Sequence, residues 1–114
     1  MFLLLATNIV FAAEPARDSL PKNNYPTLAR IEYVNNCMAR TADKLAGMYQ
    51  CSCAIDKIAD SLKYEEFEHV YTIARYAGLP GELAGEFRDE EGKKLAKKYR
   101  DLESDALLAC GMKS

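Results

Sequence analysis

The chain has 114 residues, a formal net charge of −2 at pH 7, four cysteines and a single histidine. This near balance of charge gives no overall field that would attract nucleic acid or an anionic membrane surface. The length suffices for one domain with a modest hydrophobic core. We therefore expect one small domain that has no nucleic-acid partner.

The first twelve residues carry no charge, and their apolar runs at 2–6 and 9–11 are typical of the centre of a secretory signal peptide. A membrane span needs about 20 apolar residues, whereas charged residues follow here from Glu14. Cleavage is expected after Ala12, with Ala13 as the second choice. The sequence thus predicts a signal peptide at residues 1–12 and an exported protein, periplasmic or extracellular, without a stable membrane anchor after cleavage. No Lys or Arg precedes the apolar run, which indicates that Met1 is a late start within a longer signal. A buried N-terminal helix or strand is the alternative.

Residues 13–25 contain two prolines and an Asn-Asn pair and lack helical periodicity, which predicts a flexible N-terminal arm. Residues 26–114 show helical periodicity and no strand pattern, so we expect a single helical domain there. The predicted fold is all-α, a small disulfide-stapled bundle of four or five helices.

The first two helices are placed by apolar residues that recur every three or four positions. The first begins near Pro26, because proline suits a first helical turn. Its predicted buried face contains Leu28, Ile31, Val34 and Met38. The second begins at about Asp43, and its predicted buried stripe contains Leu45, Met48, Ser52, Ile55, Ile58, Ala59 and Leu62.

The third helix is expected from near Tyr64, where Glu65 and Glu66 suit the positive end of the helix dipole. Its predicted buried residues are Phe67, Val70, Tyr71, Ala74 and Ala77. Gly78 is predicted to end it in the left-handed conformation. Three glycines and several carboxylates then fill residues 81–92, where we expect a short helix at 82–88.

The last helix is predicted to run from about Glu90 to Ala109, with Gly111 as its terminator. Its predicted inner residues are Leu95, Tyr99, Leu102 and Ala106. Acidic residues at 89–91 precede a basic stretch at 93–100, and opposite charges four apart support an exposed helix. Binding of the basic stretch to an anionic partner or to membrane headgroups is the alternative.

The cysteines carry the one recognisable arrangement of chemistry. Cys51 and Cys53 are two positions apart on a helix, so their side chains point to opposite sides and need separate partners. We predict that Cys37 bonds Cys51 across a helical hairpin and that Cys53 bonds Cys110. The alternative connectivity joins Cys37 to Cys53 and Cys51 to Cys110.

A redox or copper-handling role for the cysteines is the alternative to a structural one. Thiol oxidoreductases commonly place Cys-x-x-Cys at a helix N-terminus, where the thiolate is stabilised, and that spacing is missing here. Met38, Met48 or Met112 would be soft ligands for Cu(I). One histidine and a Cys-x-Cys pair support a zinc site only weakly. We therefore predict no metal site and no cofactor.

A possible recognition face lies on the third helix. Glu65, His69, Thr72 and Tyr76 share the side of that helix that faces away from its apolar stripe. The amphipathic Tyr76 ring and the titratable His69 imidazole suit contact with a partner. An ordinary solvated face is the alternative.

The glycine-rich segment 78–85 is predicted to be a plain connection between helices. The alternative is a hinge over a ligand site.

No nucleophile, base and orienting group form a catalytic set, and no phosphate loop or haem-attachment motif is present. The sequence therefore predicts no catalytic residues and no enzyme. The leading hypothesis is an exported helical protein that binds another, unidentified protein, as a chaperone, an inhibitor or an accessory subunit.

Overall fold

The computed structural model describes residues 23–113. The predicted signal peptide and most of the predicted arm lie outside the described residues. Within the described part, every regular element is helical, which confirms the all-α fold class. Four long helices form the bundle: α1 (Thr27–Met38), α2 (Lys44–Ser61), α3 (Tyr64–Ala77) and α5 (Glu90–Ala109). A one-turn helix, α4 (Glu82–Gly85), and a 3₁₀ turn (Glu86–Arg88) connect α3 to α5.

Side-chain caps fix the start of two of these helices. Asp43 accepts a hydrogen bond from the Ala46 amide at 3.0 Å and begins α2. Asp89 accepts one from the Gly92 amide at 2.7 Å and begins α5. Each cap satisfies an amide that has no partner in the first helical turn. The predicted starts of both helices agree with these positions.

The bundle is assembled around α2 and α5. Helix α1 packs against α2, α2 against α5, and α3 against α5. An aromatic cluster joins α1, α3 and α5, with Phe67 at its centre. Its ring centroid lies 5.0 Å from that of Tyr71, 6.4 Å from Tyr33 and 6.2 Å from Tyr99.

Helix α1 is rotated from its predicted orientation. Tyr33 and Cys37, one turn apart, are its buried residues, whereas Leu28 is 66 % exposed and Ile31 is exposed as well. The Cys37 side chain must face α2 to form its disulfide, and the large Tyr33 ring on the same side fills the core. The prediction that Leu28 and Ile31 are buried is therefore wrong.

The N-terminal half of helix α2 also buries a different face from the predicted one. The predicted stripe is correct from Ile55 onward, but Leu45, Met48 and Ser52 are exposed. Cys51 is buried instead, because it bonds Cys37 on α1. The disulfide thus decides which side of α2 faces inward.

The predicted inner faces of the other two helices are closer to the structure. Phe67 and Val70 are buried in α3, and Tyr99 and Ala106 are buried in α5. The remaining predicted residues of both faces are partly buried. Four buried residues were not predicted: Ile73 in α3, and Gly92, Ala96 and Glu103 in α5.

The packed domain begins earlier than residue 26. Tyr25, the last residue of the predicted arm, is 6 % exposed and belongs to the core. Its ring centroid lies 5.2 Å from that of Phe67. Asn23 accepts hydrogen bonds from the Tyr25 amide and the Arg30 guanidinium. Tyr25, which the sequence analysis placed in the arm, is therefore part of the packed core.

Two glycines take a positive φ where the chain turns. Gly111, with φ 90°, ends α5 as predicted. The Met112 amide then bonds the Leu107 carbonyl at 3.0 Å, as in a Schellman motif. Gly78 ends α3 in the right-handed conformation (φ −81°, ψ −9°), so the left-handed prediction is wrong there. The chain continues through a further turn, and the positive φ of 112° falls on Gly81.

Candidate functional site

A cleft of about 540 Å³ lies between the outward face of α3 and the segment that leads into α5. Glu65 and His69 form its α3 wall and are exposed, and the half-buried Thr72 completes that wall. Helical spacing places these three residues on one side of α3. The face predicted from the sequence is therefore one wall of a concave surface.

The opposite wall is formed by the connection from α3 to α5. After Gly81 the chain folds back, and Arg88 donates a hydrogen bond to the Leu79 carbonyl at 2.7 Å. The 3₁₀ turn also lies directly against α5. The two are so close that a Cβ at Gly92 would collide with the Phe87 carbonyl oxygen. On its other side the same turn contacts α3, where the Phe87 ring stacks on that of Tyr76.

The rim of the cleft is acidic. Five carboxylates line it: Glu65, Glu68, Glu86, Asp89 and Glu91. None of the five forms an ion pair within residues 23–113. The rim therefore carries an uncompensated negative charge, and the cleft lining includes no lysine or arginine.

The cleft lining also has an apolar part. It consists of the buried Ile73 and the partly buried Phe87 and Leu95. Tyr76, the fourth residue of the predicted face, does not line the cleft but stacks on Phe87, with ring centroids 5.4 Å apart. The structure thus brings Glu65, His69 and Thr72 together in the cleft and places Tyr76 beside it.

Sequence reasoning missed four of the five carboxylates as members of this site. Glu86, Asp89 and Glu91 lie at least 14 positions beyond Thr72 along the chain, and only the return of the connection brings them to α3. The sequence signal was the combination of glycines and carboxylates in residues 81–92. It indicated turns but not the direction in which they fold.

All four cysteines are paired in the structure. Cys37 bonds Cys51 with their Cα atoms 6.0 Å apart, and Cys53 bonds Cys110 with Cα atoms 5.9 Å apart. Of the two connectivities that the sequence left open, this is the first. In residues 23–113 no group of three potential His, Cys, Asp or Glu ligands is placed to hold a metal ion.

A buried polar cluster was not anticipated. Glu103 on α5 is 7 % exposed, accepts a hydrogen bond from the Tyr99 hydroxyl at 2.9 Å and pairs with Arg40 at 3.2 Å. Burial is the largest single influence on the Arg40 pKa and lowers it, but the charge and hydrogen bond of Glu103, together with Tyr33 and Tyr99, raise the pKa overall. Burial and the same carboxylate raise the pKa of Tyr99 above the usual range of a phenol. The cluster ties the end of α1 to α5.

No protein-family model matches this chain, and no curated protein or solved structure shows significant similarity to it. Among the helices that the structure describes, none is both long enough and apolar enough to span a bilayer.

Proposed function

We propose that this chain is an exported protein that binds another protein, as a chaperone, an inhibitor or an accessory subunit. Two disulfides in a small helical domain support the export, because such bonds persist in oxidising compartments and are rare in the cytosol. The apolar segment at residues 2–11 supports a secretory signal.

The acidic cleft is the observation that carries the proposed binding. Its unpaired carboxylates favour a cationic partner, and its apolar lining favours burial of a hydrophobic side chain. A segment with both properties is an amphipathic helix or loop that carries Lys or Arg beside Leu or Phe. The partner is therefore a protein that exposes a basic, amphipathic segment.

The cysteines serve the fold in this proposal. Each of the four is bonded, and Cys51 is fully buried, so the arrangement supports structural disulfides better than a reactive thiol. The copper-handling alternative requires free thiolates, and the redox alternative requires that one of the two disulfides be reduced in its cycle.

The binding is tested with the protein expressed through its own N-terminal segment into an oxidising compartment. The probe is a fluorescent peptide of about 14 residues that carries Lys and Leu at helical spacing. The cleft variant is Glu65→Gln/Glu68→Gln/Glu86→Gln. The matched control, Glu32→Gln/Asp60→Asn/Asp105→Asn, removes the same charge from exposed residues outside the cleft.

We expect the cleft variant to weaken peptide binding about ten-fold and the control about two-fold or less, measured by fluorescence anisotropy. Equal weakening in both variants would show a response to net charge alone. That result, or the absence of saturable binding, would contradict the proposal.

A further inference from the structure

A second cleft, of about 310 Å³, lies where α1, α3 and α5 meet. It shares no lining residue with the acidic cleft. The residues that matter for its chemistry are Arg40, Tyr71, Arg75, Tyr99, Arg100 and Glu103. We call it the arginine cleft.

The arginine cleft has an excess of positive charge. Glu103 is already satisfied by Arg40 and by the Tyr99 hydroxyl. Arg75 and Arg100 have no carboxylate partner within residues 23–113. Three guanidinium groups against one carboxylate therefore leave a surplus of two positive charges in a concave site.

The two unpaired arginines differ in how they are held. The Arg75 guanidinium lies over the Tyr71 ring, 5.6 Å from its centroid. This cation–π contact positions the group without using its hydrogen-bond donors. Arg100 is exposed on α5. Both guanidiniums thus keep their planar donor forks for another group.

Tyrosine hydroxyls add neutral donors to the same place. The Tyr71 hydroxyl accepts a hydrogen bond from the Asn36 amide at 2.9 Å, so its own hydrogen remains available. The Tyr33 hydroxyl is buried and has no hydrogen-bond partner within the described residues.

Tyr33 lies in the surroundings of the cleft. Its ring centroid is 6.1 Å from that of Tyr71. Burial raises the Tyr33 pKa most, and the charge of the nearby Glu103 raises it further. This hydroxyl therefore keeps its proton and remains a donor.

We propose that the arginine cleft binds a small free oxyanion, a carboxylate or a phosphate, through Arg75, Arg100 and the Tyr71 hydroxyl. Guanidinium groups match the planar geometry of such anions and bind them with two parallel hydrogen bonds. Arg40 and Glu103 are positioning residues, because they fix Tyr99 and the end of α1 around the cleft. This inference does not depend on the proposed protein partner, since the two clefts share no residue.

The test is a titration of the disulfide-bonded protein with inorganic phosphate and with succinate at constant ionic strength, followed by NMR. We expect saturable shifts of the Arg75 and Arg100 side-chain resonances. Arg75→Gln/Arg100→Gln should weaken binding about ten-fold or more, and Tyr71→Phe by a few-fold. The control Lys57→Gln/Lys94→Gln removes two exposed positive charges outside the cleft and should leave the affinity nearly unchanged.

Three outcomes would overturn the proposal. One is the absence of saturation by either anion, and another is an equal effect of the arginine and lysine variants. The third is binding of a Glu-rich peptide but of neither small anion, which would assign the cleft to an acidic protein segment. Circular dichroism and the melting temperature of each variant establish that it is folded.

Discussion

The Tyr25 hydroxyl donates a hydrogen bond to the Leu62 carbonyl oxygen at 2.7 Å, across 37 positions of the chain. It joins the segment before α1 to the residue that ends α2. Leu62 is extended there, so its carbonyl oxygen is outside the helical hydrogen-bond pattern. One phenol thus secures the N-terminal end of the packed domain.

Replacing Tyr25 by Phe keeps the ring and removes this hydrogen bond. We expect the free energy of unfolding at pH 7 to fall by about 1 kcal/mol, measured by urea denaturation. Tyr49→Phe is the matched control, because Tyr49 is 69 % exposed and makes no side-chain hydrogen bond within the described residues. Equal stability of the two variants would contradict the structural role of the Tyr25 hydroxyl.

Buried tyrosines also predict a loss of stability at alkaline pH. Burial raises the pKa of Tyr25 from 10.0 to about 12, and the pKa values of Tyr33 and Tyr99 are raised as well. The folded state therefore holds these protons more tightly than the unfolded state does. Their contribution is fully present below the unfolded pKa and is lost as the pH rises through the folded pKa.

We expect the free energy of unfolding to decrease from about pH 10 upward, measured by rapid urea denaturation before the disulfides react with base. The decrease should be less steep in Tyr25→Phe. The phenols of the unfolded chain and Tyr25 of the folded chain titrate between about pH 9 and pH 12. A free energy of unfolding that stays constant over this range would be inconsistent with buried phenols.

The Cys53–Cys110 disulfide spans 57 positions and should contribute much of the stability. A closed loop of this length contributes about 4 kcal/mol in the chain-entropy estimate, against a total of about 5–15 kcal/mol for a small domain. Cys53→Ala/Cys110→Ala should therefore lower the melting temperature strongly. Cys37→Ala/Cys51→Ala removes the disulfide that closes a loop of only 14 positions and provides the comparison. A double variant at 53 and 110 that melts like the parent would exclude this role.

The Arg40–Glu103 pair predicts an asymmetric mutational response. Arg40→Met leaves the buried Glu103 carboxylate without its cation and should destabilise the protein by about 1–2 kcal/mol. This loss is smaller than that expected for a fully buried pair, because the Arg40 side chain is 60 % exposed. Adding Glu103→Gln removes the unpaired charge and should restore part of the loss. Additive effects in this double-mutant cycle would show that the two residues do not interact.

Gly92 and Gly85 offer a matched pair of substitutions. A methyl group at Gly92 would collide with the Phe87 backbone, whereas nothing lies within 4 Å of the corresponding position at Gly85. Gly92→Ala should therefore destabilise the protein and displace the wall of the acidic cleft. Gly85→Ala should stabilise it by about 0.4–1 kcal/mol. Thermal melts of both variants measure the difference, and a neutral Gly92→Ala would refute the close packing.

Helix positions were predictable because local signals encode them. Asp43 and Asp89 mark the starts of α2 and α5 by capping, and Gly111 marks the end of α5. The orientation of α1 was not predictable from its aliphatic residues. Tyr33 and Cys37 are buried at the expense of Leu28 and Ile31, since a disulfide and a large ring outweigh two aliphatic contacts.

One wall of the acidic cleft could be anticipated, and no part of the arginine cleft. Helical spacing grouped Glu65, His69 and Thr72, since residues three or four apart share a side of a helix. The opposite wall depends on how residues 81–92 return to α3, which is a tertiary property. Glu103 resembled any solvated residue of a charged helix, and only the meeting of α1 with α5 buries it beside Arg40.

The Cys53–Cys110 disulfide has a consequence for cleavage of the chain by a protease. The connection from α3 to α5, exposed over residues 78–82, lies between Cys53 and Cys110. A cut within this connection would open one wall of the acidic cleft but release no fragment, because the disulfide still joins the two pieces. The nicked protein would migrate as one species without reducing agent and as two with it, so cleavage there would alter the binding surface while the molecule stays covalently joined.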